Sequence, residues 1–371
     1  MVKCVKEYLY KRGISGPWEI KPIPTIKFNQ VIVIPAYGES KYLFDTLESI
    51  NNTTSLQTTL VIVVINNSSK EDELLKSDND ITLNNLKNQK YNFILGIIDA
   101  SSFGYELPIK HAGVGLARKI GIDLALQFLI SKNSLIFCLD SDTIVSKKYI
   151  DETSTYFSNN EVKAAVIGFK HQVASDPKLE NAIRSYEHFL FTTANKLKNA
   201  GSPYGYVAMG STMVCTVEAY CSIGGMPRKK ATEDFYFLQE LAKYSGVKSI
   251  NTILVFPSPR PISRVYLGTG YRMEQVQNGF DINSIYYSDN AFNILSEWIK
   301  VASNAWQLNL SELFDRIITI NPRLQQFIIN EGIGDVWKKI QINTSSKQYF
   351  SNQFHCWFDG LKTIRFLKYF S

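Results

Sequence analysis

Leu135-Ile136-Phe137-Cys138-Leu139-Asp140-Ser141-Asp142-Thr143 decides how this chain is read. Five consecutive apolar residues are too few for a buried helix and suit a strand covered on both faces, as in the middle of a parallel sheet. The run then ends in two carboxylates. In open α/β sheets ligands collect beyond the carboxyl ends of the strands, so Asp140 and Asp142 would stand at the mouth of a site. Two acids this close repel each other unless a cation neutralises them, and a hard divalent metal is the natural partner for oxygen ligands. The same residues also fit a loop acid followed by a helix cap, because Asp and Thr are both common at helix starts.

Working outward from this stretch, residues 113–129 read as a strong helix, with Leu116, Ile120, Leu124 and Phe128 recurring at helical spacing as core residues. Apolar strands are expected at 31–35, 60–65 and 93–98, with a helix from about 41 to 50 and a polar, Asn-rich helix and loop over 70–90. Alternating strands and helices joined by right-handed crossovers wind into a mostly parallel sheet. Beyond Asp142, strands are expected at 164–169, 211–216 and 247–255, with a long helix over 179–198 and a helix starting at Thr232. Gly224-Gly225 marks a turn. Pro257, Pro259 and Pro261 mark a boundary, after which the pattern is mostly helical, including 291–305 and 311–320. The first thirty residues, with Gly13, Gly16, Pro17, Pro22 and Pro24, suit an arm lying across the domain. The expected organisation is an N-terminal arm at 1–28, an α/β domain at 29–258 and a helical region at 259–371. No internal repeat is visible.

With 371 residues, 45% of them apolar, the chain has ample material for a large core. Its net charge of +6 is modest and its basic residues are dispersed, which permits an anionic substrate without arguing for nucleic acid. Cys4, Cys138, Cys215, Cys221 and Cys356 show neither metal-binding nor redox spacing and read as reduced thiols. No apolar run is long enough to span a bilayer, so the expected location is cytoplasmic.

Several short motifs carry a resemblance. Val31-Ile-Val-Ile-Pro-Ala-Tyr-Gly-Glu39 resembles the V-I-P-A-Y-N-E opening of family-two glycosyltransferases with the GT-A fold. Residues 60–69 are similar to that family's second strand and acidic turn, although Asn66 and Asn67 stand where an acid is usual. Residues 113–125 resemble its G-x-x-x-A-R-N-x-G helix, with Lys119 in place of the Asn. Leu139-Asp-Ser-Asp142 resembles its D-x-D motif, and Gly224-Gly225 with Glu233-Asp234 its late G-G and E-D pair. Five weak motifs in the right order, covering about residues 30–255, are far more specific than any one of them. The fold implied is α/β of the GT-A type, a Rossmann-like, mostly parallel central sheet flanked by helices, here with a C-terminal helical extension.

The resemblance implies transfer of a sugar from a nucleotide-sugar donor, UDP- or GDP-linked, to an acceptor hydroxyl with inversion. Asp142 and Asp140 would hold Mg²⁺ or Mn²⁺ against the diphosphate. Loss of that leaving group needs negative charge neutralised, so the residue chemistry agrees. Pro35, Ala36, Tyr37, Glu39, Asn66, Asp99, Arg118, Asp140 and Ser141 are the candidate donor contacts, with Lys110 and His111 weaker ones; Arg118 suits bracing the diphosphate or the metal-binding acids, or a plain solvated helix position. Asp234 is the candidate general base, supported by Glu233, since one carboxylate must take the hydroxyl proton. Acids in a first helical turn are also stabilised by the helix dipole without further role, and the same field would keep Asp234 ionised. Arg260, Arg264 and Arg272 flank a Pro-rich turn that can serve as a basic lid or as an ordinary interdomain loop.

Residues 354–370 interleave Trp357, Phe358, Ile364, Phe366, Leu367, Tyr369 and Phe370 with Lys362, Arg365 and Lys368. Such a stretch suits docking onto the α/β domain, with peripheral contact to an anionic membrane near a lipid-linked acceptor as the other reading. Two other functions fit the same α/β pattern: a sugar nucleotidyltransferase, and a noncatalytic nucleotide-binding protein. The first normally needs a Gly-rich phosphate loop after the opening strand, which Ala36-Tyr-Gly-Glu39 does not supply.

Overall fold

The computed structural model describes residues 1–262 and 268–371. Its strands are β1 (Gln30–Ala36), β2 (Thr59–Asn66), β3 (Ile94–Ala100), β4 (Leu135–Cys138), β5 (Ile144–Val145), β6 (Ala164–Phe169), β7 (Met213–Thr216) and β8 (Lys248–Phe256). They form one sheet in the order β3-β2-β1-β4-β7-β6-β8-β5. The first four are parallel neighbours. Every residue of β1 and β2 is buried. That is why these strands read as unbroken apolar runs, each buried Val, Ile or Leu contributing roughly 1.5–3 kcal/mol.

The second half of the sheet is less parallel than the sequence suggests. β7 runs antiparallel to both β4 and β6, and β5 antiparallel to β8, while β6 and β8 are parallel. A strand buried on both faces has the same apolar pattern in either direction, so only the path of the chain decides this. The α/β class and the helical C-terminal extension are as expected.

The helix Val114–Ala125 packs on β1 and β2. Its Lys119 and Asp123 are both buried, at 3% and 2% exposure. Lys119 Nζ lies 2.9 Å from Asp123 Oδ2, one turn on, and Asp123 Oδ1 accepts hydroxyl hydrogen bonds from Tyr8 and Tyr220 at 2.9 and 2.7 Å. A lysine is thus tolerated inside the core because its charge is paired and its partner fully hydrogen-bonded. Tyr8 comes from a helix, Lys3–Arg12, where an irregular arm was expected. The glycines and prolines behind that expectation all lie at or beyond residue 13, leaving this stretch free to coil.

The chain divides into two compact units: residues 1–184 with 208–280, and residues 185–207 with 281–371. The boundary expected after residue 258 therefore moves. Residues 259–262 belong with the sheet, to which Arg260 ties them through Glu39 and Asp142. The second unit is helical, with Asp289–Ser303, Ile333–Ile342, Lys347–Trp357 and Gly360–Phe370 among its helices. Its core holds Trp298, Trp337, Phe350, Phe354, Phe358 and Phe366. The Trp298 ring meets those of Phe354 and Phe358 edge-on at 5.5 and 5.9 Å. Most of the C-terminal aromatics expected to dock onto the α/β domain thus build the core of their own unit. No helix among the described residues is long and apolar enough to cross a membrane.

Candidate active site

β1 and β4 stay in register as far as Val33 and Cys138, and both then turn at their carboxyl ends. Pro35 and Ala36 still pair with β2 and are buried, so the first accessible residue of this turn is Tyr37. The hydroxyl of Tyr37 donates to Glu71 Oε2 at 2.7 Å, and Ser68 Oγ to Glu71 Oε1 at 2.9 Å. Gly38 has φ +64°, which favours glycine, and its N–H donates to Asn79 Oδ1 at 3.0 Å. Asn79, 1% exposed, also donates to Asn67 Oδ1 at 2.7 Å and so joins the turns after β1 and β2. Asn66 is 3% exposed and its Oδ1 has no hydrogen-bond partner among the described residues. Asp99, next to last in β3, spends Oδ1 on the backbone N–H groups of Ser101 and Ser102 at 3.0 and 2.9 Å. Burial works against its charge, but these hydrogen bonds outweigh it and hold the carboxyl below its ordinary range.

The turn after β4 is anchored by the helix Leu43–Asn51, whose Thr46 hydroxyl donates to the Ser141 carbonyl at 2.9 Å. Ser141 itself is buried, while Asp140 and Asp142 project to different partners. Asp140 pairs with Arg118 and accepts from Ser211 Oγ at 2.5 Å. Asp142 Oδ2 receives Arg260 Nε at 2.7 Å. Arg118, 1% exposed, pairs on its other side with Glu233. The D-S-D turn and the Glu-Asp pair are thereby brought together across 93 residues of chain, counting from Asp140 to Glu233.

A close approach makes this possible. A Cβ on Gly115 would lie 2.5 and 2.6 Å from the carbonyl oxygens of Lys229 and Pro227, so only glycine lets the 227–230 loop reach the start of the helix Val114–Ala125. Glu233 then opens its own helix, Glu233–Ser245, beside Arg118. Thr232, just before it, holds a left-handed φ of 62° and gives no side-chain cap.

Five carboxyls, Glu39, Asp140, Asp142, Glu233 and Asp234, face two guanidinium groups. Burial pushes Glu233 up to about 7, with Arg118 opposing and Asp234 adding to the rise. Burial pushes Asp142 up to about 6, against the pull of Arg260. Asp234 is also raised, mainly by burial, with Arg118 opposing. Desolvation outweighs the helix-dipole field that was expected to favour its ionised form.

For a divalent metal the donor chemistry fits, because the ligands at hand are hard carboxylate oxygens. Among the described residues no group of three or more His, Cys, Asp or Glu could by itself hold an ion. The pair Asp140 and Asp142 would therefore supply a partial shell, which is ordinary for Mg²⁺ sites completed by phosphate oxygens and water.

The basic-lid expectation is only partly placed. Arg260 caps the acids; Arg272 Nη1 donates to Gln275 Oε1 at 2.6 Å instead; Arg264 lies outside the described residues. Lys110 is exposed and His111 half-buried, and among the described residues neither forms an ion pair with the acids. Glu71, Asn79 and Ser211 were not anticipated, since no local motif marks them. Arg260 was anticipated as part of a basic lid or of an ordinary interdomain loop, not as a carboxylate partner.

No protein-family model and no curated protein matches the chain. Among solved structures it is similar to residues 1–349 of S. aureus TarS in complex with UDP-GlcNAc, at 12% identity and a TM-score of 0.45, over 89% of this chain and 90% of that one. It is also similar to the mannosyltransferase PcManGT from Pyrobaculum calidifontis in complex with GDP-Man and Mn²⁺, at 12% identity and a TM-score of 0.44, over 95% and 92% of the two chains.

Proposed function

We propose that the chain is a metal-dependent, inverting glycosyltransferase that moves a sugar from a UDP- or GDP-linked donor to a hydroxyl of a glycan or glycolipid. The observation that carries this reading is Arg118, which holds Asp140 of the D-S-D turn on one side and Glu233 of the Glu-Asp pair on the other. One buried cation thus links the acids suited to the leaving diphosphate with those suited to the acceptor, at the carboxyl ends of the parallel strands. Buried ion networks of this kind are costly to maintain and concentrate at functional sites.

On the donor side, Asn66 Oδ1 is a buried acceptor without a donor among the described residues, and a base N–H would satisfy it. Tyr37, its hydroxyl held by Glu71 in the turn after the neighbouring strand, is the aromatic candidate for a base contact. Asp142 and Asp140 would bind Mg²⁺ or Mn²⁺, which when bound neutralises charge on the departing diphosphate. On the acceptor side, Asp234 takes the hydroxyl proton as the oxygen attacks the sugar carbon opposite the leaving group. Its raised pKa makes it a stronger base than an ordinary aspartate. Glu233, pinned by Arg118, holds the first turn of the helix that presents Asp234.

The test is a panel of UDP- and GDP-sugars scored for transfer and hydrolysis, with and without Mn²⁺. Metal-stimulated turnover on one donor, lost in Asp142→Ala and Asp234→Asn proteins of unchanged thermal stability, is the expected result. An active Asp234→Asn protein would remove that residue as the base.

A further inference from the structure

The two arginines at the acid pair are not equivalent. Arg118 is 1% exposed and bound on both sides, and a Cβ added at Gly210 would collide with its Nη2 and force the guanidinium to shift. Arg118 is part of the scaffold. Arg260 stands at the rim with its side chain 18% exposed, between Pro259 and Pro261. Its Nε donates to Asp142 Oδ2 at 2.7 Å, and its Nη2 to both oxygens of Glu39 at 2.6 Å. Its guanidinium carbon lies 4.1 Å from the centre of the Tyr42 ring. The planar fork of an arginine can serve two carboxylates and an aromatic face at once, which a lysine could not.

We propose that Arg260 is an internal stand-in for the divalent cation: its guanidinium neutralises Asp142 and Glu39 while no donor is bound, and the metal can use Asp142 only after displacing it. This rests on the metal-dependent reading above and deepens it. A divalent ion bonded to Asp142 and an arginine held on the same carboxylate repel each other, so the two occupancies compete. A displaced Arg260 needs another anion, and the diphosphate of the donor is one that planar guanidinium groups bind well. Metal and nucleoside diphosphate therefore bind cooperatively, each easing entry of the other by the same factor. The acid pair stays neutralised in the resting protein, and metal held without donor is disfavoured.

The experiment is Mn²⁺ binding followed by electron paramagnetic resonance, without and with UDP or GDP, in the full chain. In the nucleotide-free state Arg260→Gln is expected to bind Mn²⁺ at least tenfold more tightly than wild type, and addition of Asp142→Asn to remove that binding. Removing a positive charge would tighten metal binding somewhat even without displacement, so Glu39→Gln supplies the sharper arm. It deletes a negative charge, which by electrostatics alone weakens a cation's binding, yet it loosens the grip on Arg260, which tightens it. Tighter nucleotide-free binding in Glu39→Gln is expected; weaker or unchanged binding overturns the inference. The Glu39→Gln arm also serves if Arg260→Gln fails to fold. Wild-type Mn²⁺ binding that appears with nucleotide, combined with no gain in either variant, sinks the arginine stand-in alone. Absence of Mn²⁺ binding in every protein, with or without nucleotide, sinks the metal reading and the inference with it.

Discussion

The two compact units differ in what they bury beside their apolar cores. The sheet unit encloses Arg118, Lys119, Asp123 and Glu233, each no more than 4% exposed. The helical unit encloses Trp298, Trp337, Phe350, Phe354, Phe358 and Phe366, and among its described residues Glu187, at 8% exposure, is the one buried charged side chain. Buried charge is expensive, and replacing an ion pair with apolar residues of similar volume is often neutral or stabilising. A unit that nevertheless keeps several such groups, on the helix packed against β1 and β2 and at the start of the helix Glu233–Ser245, is the one to which binding and chemistry are assigned in the proposed function. A unit built from edge-on aromatic rings is organised for its own stability.

That contrast can be broken experimentally. The largest expected effect lies in the sheet unit: Asp142→Ala should lower sugar transfer by a factor of about 10³ or more, on the order of 4 kcal/mol in the barrier, with the melting temperature little changed. Undiminished turnover would detach the buried charges from function. Next, Arg118→Leu should destabilise the sheet unit by about 3–5 kcal/mol, because it leaves Asp140 and Glu233 without their shared cation. Urea denaturation reads this, and a stabilised variant would mean the network is dispensable. Trp298→Ala should remove about 3–5 kcal/mol from the helical unit through an unfilled cavity, seen as faster amide exchange in 289–303 and 347–370.

A smaller effect is expected with pH. Burial holds His355 neutral, lowering its pKa from 6.5 to about 4. The unfolded chain takes up the proton first, so the helical unit should be fully stable above pH 6.5. It should then lose stability as pH falls from about 6.5 towards 4, by roughly 3 kcal/mol at most. His355→Gln should flatten that slope; an unchanged slope would place the titration elsewhere. Smallest of all, Arg365→Ala breaks an exposed pair with Glu331 at 3.3 Å and should shift stability by less than about 0.5 kcal/mol.

Much of the candidate site was legible because it is assembled from strand ends. The turns after β1, β2 and β4 each follow an apolar run that announces itself, and Asp140, Asp142, Glu39 and Asn66 all sit one to five residues from such a run. Arg118 was recognised from its helix motif, with bracing of the metal-binding acids as one of its expected roles, though its second partner, Glu233, was not foreseen. Ser211, Asn79 and Glu71 were illegible because each reaches the site by a hydrogen bond across the fold, with no flanking pattern to mark it. Arg260 shows the limit most clearly. Near prolines and other arginines it reads as part of a basic lid or of an ordinary loop, yet its partners are two carboxylates, one of them 221 residues earlier in the chain.

The amino-acid sequence by itself determined the α/β class, the parallel first half of the sheet and the position of the acids at strand ends, since apolar periodicity and burial on both faces are local properties of a chain. The reversal of β7, the helix at Lys3–Arg12 and the pairing of every buried charge were decided only by the tertiary structure. Direction of a fully buried strand leaves no trace in its pattern. Which arginine neutralises which carboxylate depends on distances that exist only once the chain has closed.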